Sequence, residues 1–337
     1  MPKKNSLKIN IGKRLNKERS CFEGYEIMLR TRTEKTSSSM PYGEARRLRY
    51  FVLICQELLA SRSVNIDFLI DRILLQAKKV NSKLEKYKRK TGIMRTKPVA
   101  RNYVRFSRWL NFLQLDGRLV SPNSYTVFVG NMDSWDDFSL SKKEKIGFFL
   151  MIIKKREIID FITSLKVKSR VKDYTVNLSE HFVESFLEWL VDLGILEPSS
   201  KSFGYFSLTS TGYKLKETLT KNRSIFEASR IFSSCILNSD VSIGLSISDS
   251  EFLRVFFASL KYLAEYTRSE LDSSLYSALP ILLHSQLNII VEFNQLPSLH
   301  TLIEKLKDIS KTRDLIFNWD HLTNRGYIKT KGEISWR

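Results

Sequence analysis

The densest chemistry in this sequence is a run of cations. Between Arg72 and Arg108 stand thirteen Lys or Arg and a single acid, Glu85, and an excess of that size repels itself unless an anion neutralises it. The spacing says how the anion would be met. At 100° per residue, Lys97, Arg101, Arg105 and Arg108 fall in one narrow sector of a helix, while Val99, Tyr103, Phe106, Trp109, Leu110 and Leu113 fall on the other side. A helix divided in this way packs by its apolar stripe and offers its cations to phosphates, as a helix in or beside a major groove requires. Arg95 extends the set, and Lys86, Lys88, Arg89 and Lys90 crowd the segment before it. Near the other end, Lys329 and Lys331 are two apart and follow Arg325, so on a strand they share a side. They are expected to form a small cationic hairpin tip against DNA; a solvated edge hairpin is the alternative.

The whole chain agrees with a polyanionic partner. Its 337 residues allow two or three domains, and 55 Lys and Arg against 36 Asp and Glu leave a formal charge of +19. Double-stranded DNA is the leading partner. An anionic membrane surface would want an isolated basic amphipathic helix with an inserting apolar face, and none stands out. The basic start of the chain lacks a following apolar region, and the longest greasy run, Phe148 to Ile153, is too short to cross a bilayer. The expectation is a cytoplasmic protein without a membrane partner, nucleoid-associated if bacterial. Cys21, Cys55 and Cys235 are odd in number and far apart, which fits a reducing compartment, and neither they nor the four His have zinc-ligand spacing. No cofactor or metal is expected.

The elements that would position these residues follow from periodicity. Residues 1–40 read as a basic arm. A helical pattern starts near Tyr42 and carries Leu48, Phe51, Val52, Cys55, Leu58 and Leu59; a second helix covers about Ile66 to Val80; Pro98 suits the first turn of a third. The most informative feature is an internal repeat: Phe106, Trp109, Leu110 and Leu113 recur 80 residues later as Phe186, Trp189, Leu190 and Leu193. Each motif is followed by a short strand, a turn rich in Ser, Pro, Asn or Gly, and a second strand, the first tail running to Val129 and the second to Leu208. A looser third copy places Ile316, Trp319 and Leu322 on a helix, Gly326 as its C-cap, and Tyr327 to Trp336 as a hairpin. The bland alternative is two amphipathic helices that happen to look alike.

A helix pair, a third helix and a two-stranded hairpin resemble tandem winged-helix DNA-binding proteins, including the recognition modules of some restriction enzymes and plasmid replication initiators. The resemblance covers 41–132, 140–221 and 250–337. It implies a mainly α fold with small β-hairpins, built of tandem winged helix-turn-helix domains: an arm over 1–40, the main DNA-binding unit over 41–132, a second unit over 133–222, and a helical segment with a third unit over 223–337. The second copy lacks the cationic face, since His181, Ser185 and Glu188 stand where the first has Arg101, Arg105 and Arg108. It reads as a spacer or protein-binding module, although Lys154, Lys155, Arg156, Lys166, Lys168, Arg170 and Lys172 offer another basic side.

Motifs of catalysis are missing. There is no phosphate-binding glycine loop, nucleophile elbow or His-Glu-x-x-His helix, and Asp192 with Glu197, Asp314 with Asp320, or Asp320 with His321 are more plausibly helix surface than a metal or proton-transfer site. Site-specific duplex binding is the expected function. A DNA-recognition subunit of a restriction or replication-initiation complex, with other protein subunits as partners, and a nuclease whose site is assembled only in space, both stay open.

Overall fold

The computed structural model describes residues 41, 43–84, 93–132, 139–175, 178–199, 204–269, 272–311 and 315–330, with the side chains of 82–84 also outside the description. The arm expected over 1–40 and four of the cations, Lys86, Lys88, Arg89 and Lys90, lie outside it, as does Lys331. The chain divides into Met1–Pro41 and Tyr42–Arg337, and every element below belongs to the second.

That part is mainly helical with small sheets, and one order of pieces recurs three times. The first block runs α1 (Arg49–Ser61), β1 (Val64–Asn65), α2 (Ile66–Leu84), α3 (Lys97–Trp109), β2 (Gln114–Asp116), β3 (Leu119–Ser121). Its sheet has the order β1-β3-β2. Two helices, α4 (Ser124–Gly130) and α5 (Lys142–Ile152), lead to the second block: α6 (Arg156–Ser164), β4 (Lys168–Arg170), a 3-10 turn at Val171–Asp173, α7 (Glu180–Asp192), β5 (Leu196–Pro198), β6 (Tyr205–Leu208). The third follows α8 (Ser210–Asn222), α9 (Ile225–Leu237) and β7 (Ser242–Ile243). It runs α10 (Asp249–Thr267), β8 (Leu275–Ser277), α11 (Ala278–Phe293), β9 (Gln295–Leu296), α12 (Leu299–Ser310), β10 (Leu315–Asp320), β11 (Arg325–Thr330). In all three sheets the last strand lies between the first and the second, and every pairing is antiparallel; β7 and β9 pair separately and in parallel.

One continuous core joins the blocks, from Ala45 to Ile328. Its centre is aromatic, and the repeated motif builds it. Phe106 stands 5.5 Å from Trp189 and Trp109 stands 6.1 Å from Phe186, so the Phe of each copy meets the Trp of the other. Such reciprocal contacts are what a local two-fold relation between α3 and α7 produces. Aromatic pairs at these separations add about 0.5–1.5 kcal/mol each beyond the area they bury.

The structure corrects the sequence reading in four places. The first helix starts at Arg49 rather than near Tyr42, because 43–48 forms a non-helical strap across α3 and α7. The first hairpin is tighter than expected: its turn is Gly117 (φ +57°) and Arg118, and 124–130 is helical. Asn123 causes that change, since its side chain accepts the N–H groups of Tyr125 and Thr126 while Thr126 Oγ1 reaches back to the Asn123 N–H, a capping box where a turn was expected. Ile316 and Trp319 lie on a strand, not a helix, and Leu322 is in the loop after it. The third hairpin is therefore β10–β11, and the helix preceding it is α12. Finally, Gly326 is not a helix cap but a strand residue opposite Trp319, whose ring lies where a Cβ would stand, 2.5 Å away.

Candidate nucleic-acid interface

The polarity expected of α3 is present. Thr96 is extended and Pro98 fills the first turn, where its missing N–H costs nothing. Ala100, Tyr103, Val104, Phe106, Ser107 and Trp109 are buried, and Lys97, Arg101, Arg105 and Arg108 are exposed. Two tyrosines set the helix in place. Tyr50 Oη on α1 donates to Asn81 Oδ1 (2.5 Å) and accepts the Met94 N–H (3.1 Å), which anchors the chain just before Arg95. Tyr103 Oη accepts the Arg47 N–H at 2.7 Å, tying α3 to the strap. Burial raises both phenols, Tyr50 to about 12 and Tyr103 well above its ordinary value, so both stay neutral.

The four cations of the stripe are not equivalent. Lys97 Nζ lies 2.6 Å from Asp71 Oδ1, and Arg101 Nη2 lies 3.0 Å from Asp67 Oδ1, both acids on α2. Arg105 and Arg108 have no carboxylate partner among the described residues, and exposed Arg95 has none either. The cation-rich stretch from Arg72 onward begins one residue after Asp71, so the acids that partly neutralise it sit just outside.

Sequence reasoning missed Arg118. It occupies the tip of the β2–β3 hairpin, exposed and without an acidic partner among the described residues, and its carbonyl accepts the Ile66 N–H at 2.8 Å, which holds the tip against the start of α2. The Gly-Arg pair between two strand-like runs was the available signal. Beside α3, Lys155 Nζ lies 5.0 Å over the Trp109 ring, a cation–π contact at the end of the stripe.

The counterparts of this face are closed or neutral. On α7, Ser185 and Glu188 are buried and His181 is exposed. The strap covers this helix: Ser185 Oγ accepts the Ala45 N–H (2.9 Å), Trp189 Nε1–H donates to the Ala45 carbonyl (2.5 Å), and Asp192 Oδ2 accepts the Leu48 N–H (3.0 Å). On α12 and at its C-terminal end the cations are spoken for, Lys305 by Asp249, Lys307 by Glu304 (2.9 Å) and Lys311 by Asp308 (2.8 Å). Lys329 does not sit at a hairpin tip. It lies well along β11, opposite Ile316 and Leu275, with its Nζ 2.9 Å from Asp272 Oδ2, whereas Arg325 borders the loop.

Acidic groups do structural work where they meet. Glu44, His181 and Glu184 bring ligand atoms within 4.8 Å of one another, but Arg46 Nη2 already lies 2.6 Å from a carboxylate oxygen of both Glu44 and Glu184. A guanidinium in that position neutralises the pair as a cation would. Asp192 holds Arg47 (3.4 Å) and the strap, and Asp320 accepts the Leu322 N–H (2.8 Å) and the Thr323 hydroxyl (2.6 Å), closing the β10–β11 loop. Asp314 lies outside the described residues. No described helix is long and apolar enough to cross a membrane. No family model matches the chain, and no curated protein or solved structure matches it.

Proposed function

We propose that this chain binds double-stranded DNA as a tandem winged-helix protein, with α3 as the helix presented to the major groove and the β2–β3 hairpin as its wing. The observation that carries the reading is the state of Arg105 and Arg108: both project from a helix whose opposite face is core, and neither is met by an acid among the described residues. Support comes also from the order helix-strand-helix-helix-strand-strand with the last strand in the middle of each sheet, in which the second block reduces its second helix to a 3-10 turn. Arg118 at the hairpin tip would reach phosphates or the minor groove beside the helix. Arg105 and Arg108 are the groups that reach base edges; Lys97 and Arg101, held by Asp71 and Asp67, contribute position and phosphate contact.

Fluorescence anisotropy with a labelled random duplex tests this. Log affinity falls linearly with log salt, by about 0.9 per phosphate neutralised, and Arg105→Glu with Arg108→Glu removes binding while circular dichroism stays native. Unchanged affinity in that folded variant overturns the reading. Selection from random duplexes beside an RNA pool then identifies the preferred site and nucleic acid.

A specific feature favours a second role for the third block. Its hairpin exposes Ile316 (43%), Leu322 (66%) and Tyr327 (39%), a surface suited to a protein subunit rather than to phosphates. Loss of a co-purifying subunit on Leu322→Asp tests that role.

A further inference from the structure

The second block cannot present α7, yet it is not electrically idle. Around its first strand, β4 (Lys168–Arg170), the sequence reads Lys166, Val167, Lys168, Ser169, Arg170, Val171, Lys172, a cation at every second position, with Lys166 just before the strand and Lys172 in the 3-10 turn after it. Strand alternation turns Lys168 and Arg170 to one side: Ser169 between them is fully buried, with its hydroxyl 2.6 Å from Tyr174 Oη, while Lys168 and Arg170 are exposed, as are Lys166 and Lys172 beyond the two ends of the strand. β4 is an edge of its sheet, so nothing in the sheet covers its outer side. Arg170 is already ordered, its guanidinium 5.3 Å over the Tyr205 ring and donating to Tyr205 Oη at 3.1 Å. The acid nearest to the row is Asp173, whose carboxylate stands 3.9 Å from Lys166 and 3.7 Å from Arg170; Lys168 and Lys172 have no acidic partner among the described residues.

We propose that this row is a second phosphate-binding surface, which holds the backbone of the same DNA duplex at a distance from α3 and reads no bases; the proposal rests on duplex binding by α3. Lys168 and Arg170 are two strand residues apart, an advance of about 6.7 Å that matches the axial advance of two nucleotides on one DNA strand, about 6.8 Å, so the two can meet separate phosphates of one strand. The row is also joined to the first surface. Lys155 lies over Trp109, next to Arg108; exposed Lys154 and Arg156 adjoin it; and α6 leads directly to Leu165 and Lys166. A nine-residue helix spans about 13 Å, which keeps the row within roughly one turn of duplex, about 34 Å, of Arg108.

The test uses two random duplexes, of about 12 and about 40 base pairs, that is one turn and several. The full chain is compared with Lys168→Ala plus Lys172→Ala and with Arg105→Glu plus Arg108→Glu. The β4 variant should lose less affinity on the short duplex than on the long one, because few registers of a one-turn duplex reach both surfaces. On the long duplex it should lose tenfold or more in affinity near 0.1 M salt, and its salt slope should fall by about two units. Unchanged affinity and slope on the long duplex, with native circular dichroism, overturn the proposal and leave the four cations as a guard against edge-to-edge association. If the α3 variant still binds the long duplex at parental strength, the α3 reading falls and the row becomes the main surface. If the parent chain binds neither duplex, both readings fall together.

Discussion

Helices α3 and α7 carry the same motif and meet different fates. Each turns its Phe and Trp into the shared aromatic centre, yet α3 keeps an exposed cationic side on which Arg105 and Arg108 have no acidic partner among the described residues, whereas the strap at 43–48 closes the side of α7 that carries Ser185. The difference teaches that the motif is a packing device and says nothing by itself about ligands. What decides the role of each helix is the residue facing away from the motif: Arg105 and Arg108 in one, Ser185 and Glu188 in the other. A guanidinium without a partner cannot be buried at acceptable cost, whereas a serine hydroxyl bonded to a backbone N–H can.

Breaking the common part should have the largest effect. Trp189→Ala and Trp109→Ala should each lower stability by about 3–5 kcal/mol, the range for deleting a buried large aromatic. Denaturant titration measures it, and a near-parental midpoint for either would show that the motif does not hold the centre. A double-mutant cycle on Phe106 and Trp189 should return a coupling of about 0.5–1.5 kcal/mol.

Breaking the distinctive part comes next. Arg105→Glu with Arg108→Glu should cost about 3 kcal/mol of duplex affinity, over a hundredfold, with no loss of fold. The matching reversal at α12, Lys307→Glu on the helix with Lys311→Glu just after it, should cost under about 0.5 kcal/mol of duplex affinity, because those ammonium groups are already engaged by Glu304 and Asp308. Equal losses at the two helices would erase the distinction between the blocks.

Two gentler variants sharpen the division among the cations of the first block. Asp67→Asn with Asp71→Asn should release Arg101 and Lys97 and tighten duplex binding by roughly three- to tenfold, with a steeper salt slope. Arg118→Ala should weaken all sequences alike by about 1 kcal/mol and reduce the slope by about one unit.

The smallest effect belongs to the third block. The Ser274 hydroxyl, then Lys329, hold the Asp272 carboxyl well below the usual carboxylate range. A depressed folded value means the contribution is complete above the ordinary carboxylate pKa of about 4 and is lost as the pH falls through the folded value. Melting temperatures of the parent and Asp272→Asn should therefore differ at pH 6 and converge in strong acid. Lys329→Ala should leave duplex affinity unchanged.

Some of this is legible in the sequence alone, and what is not has physical reasons. The two-sided character of α3 follows from a 3.6-residue period sustained over thirteen residues. Leu315–Asp320 is too short for period to decide: Ile316, Trp319 and Leu322 fit a helix, while buried Leu315 and Trp319 alternating with exposed Ile316, Asn318 and Asp320 fit the strand that forms. The ion pairs of Asp67 and Asp71 with the stripe arise from the packing of α2 on α3 and leave no local mark. Closure of α7 depends on Ala45, 144 residues from Trp189, a contact no spacing rule reaches.

The reciprocal Phe–Trp contacts carry one more consequence. A symmetric dimer built on them would dissociate on dilution, and its two halves would be obliged to remain identical. Here each half finds its counterpart at an effective concentration set by the connecting chain, independent of how much protein is present. One half is thereby free to give up a cationic face while the other keeps it, and the pairing survives at any abundance in which the chain is made.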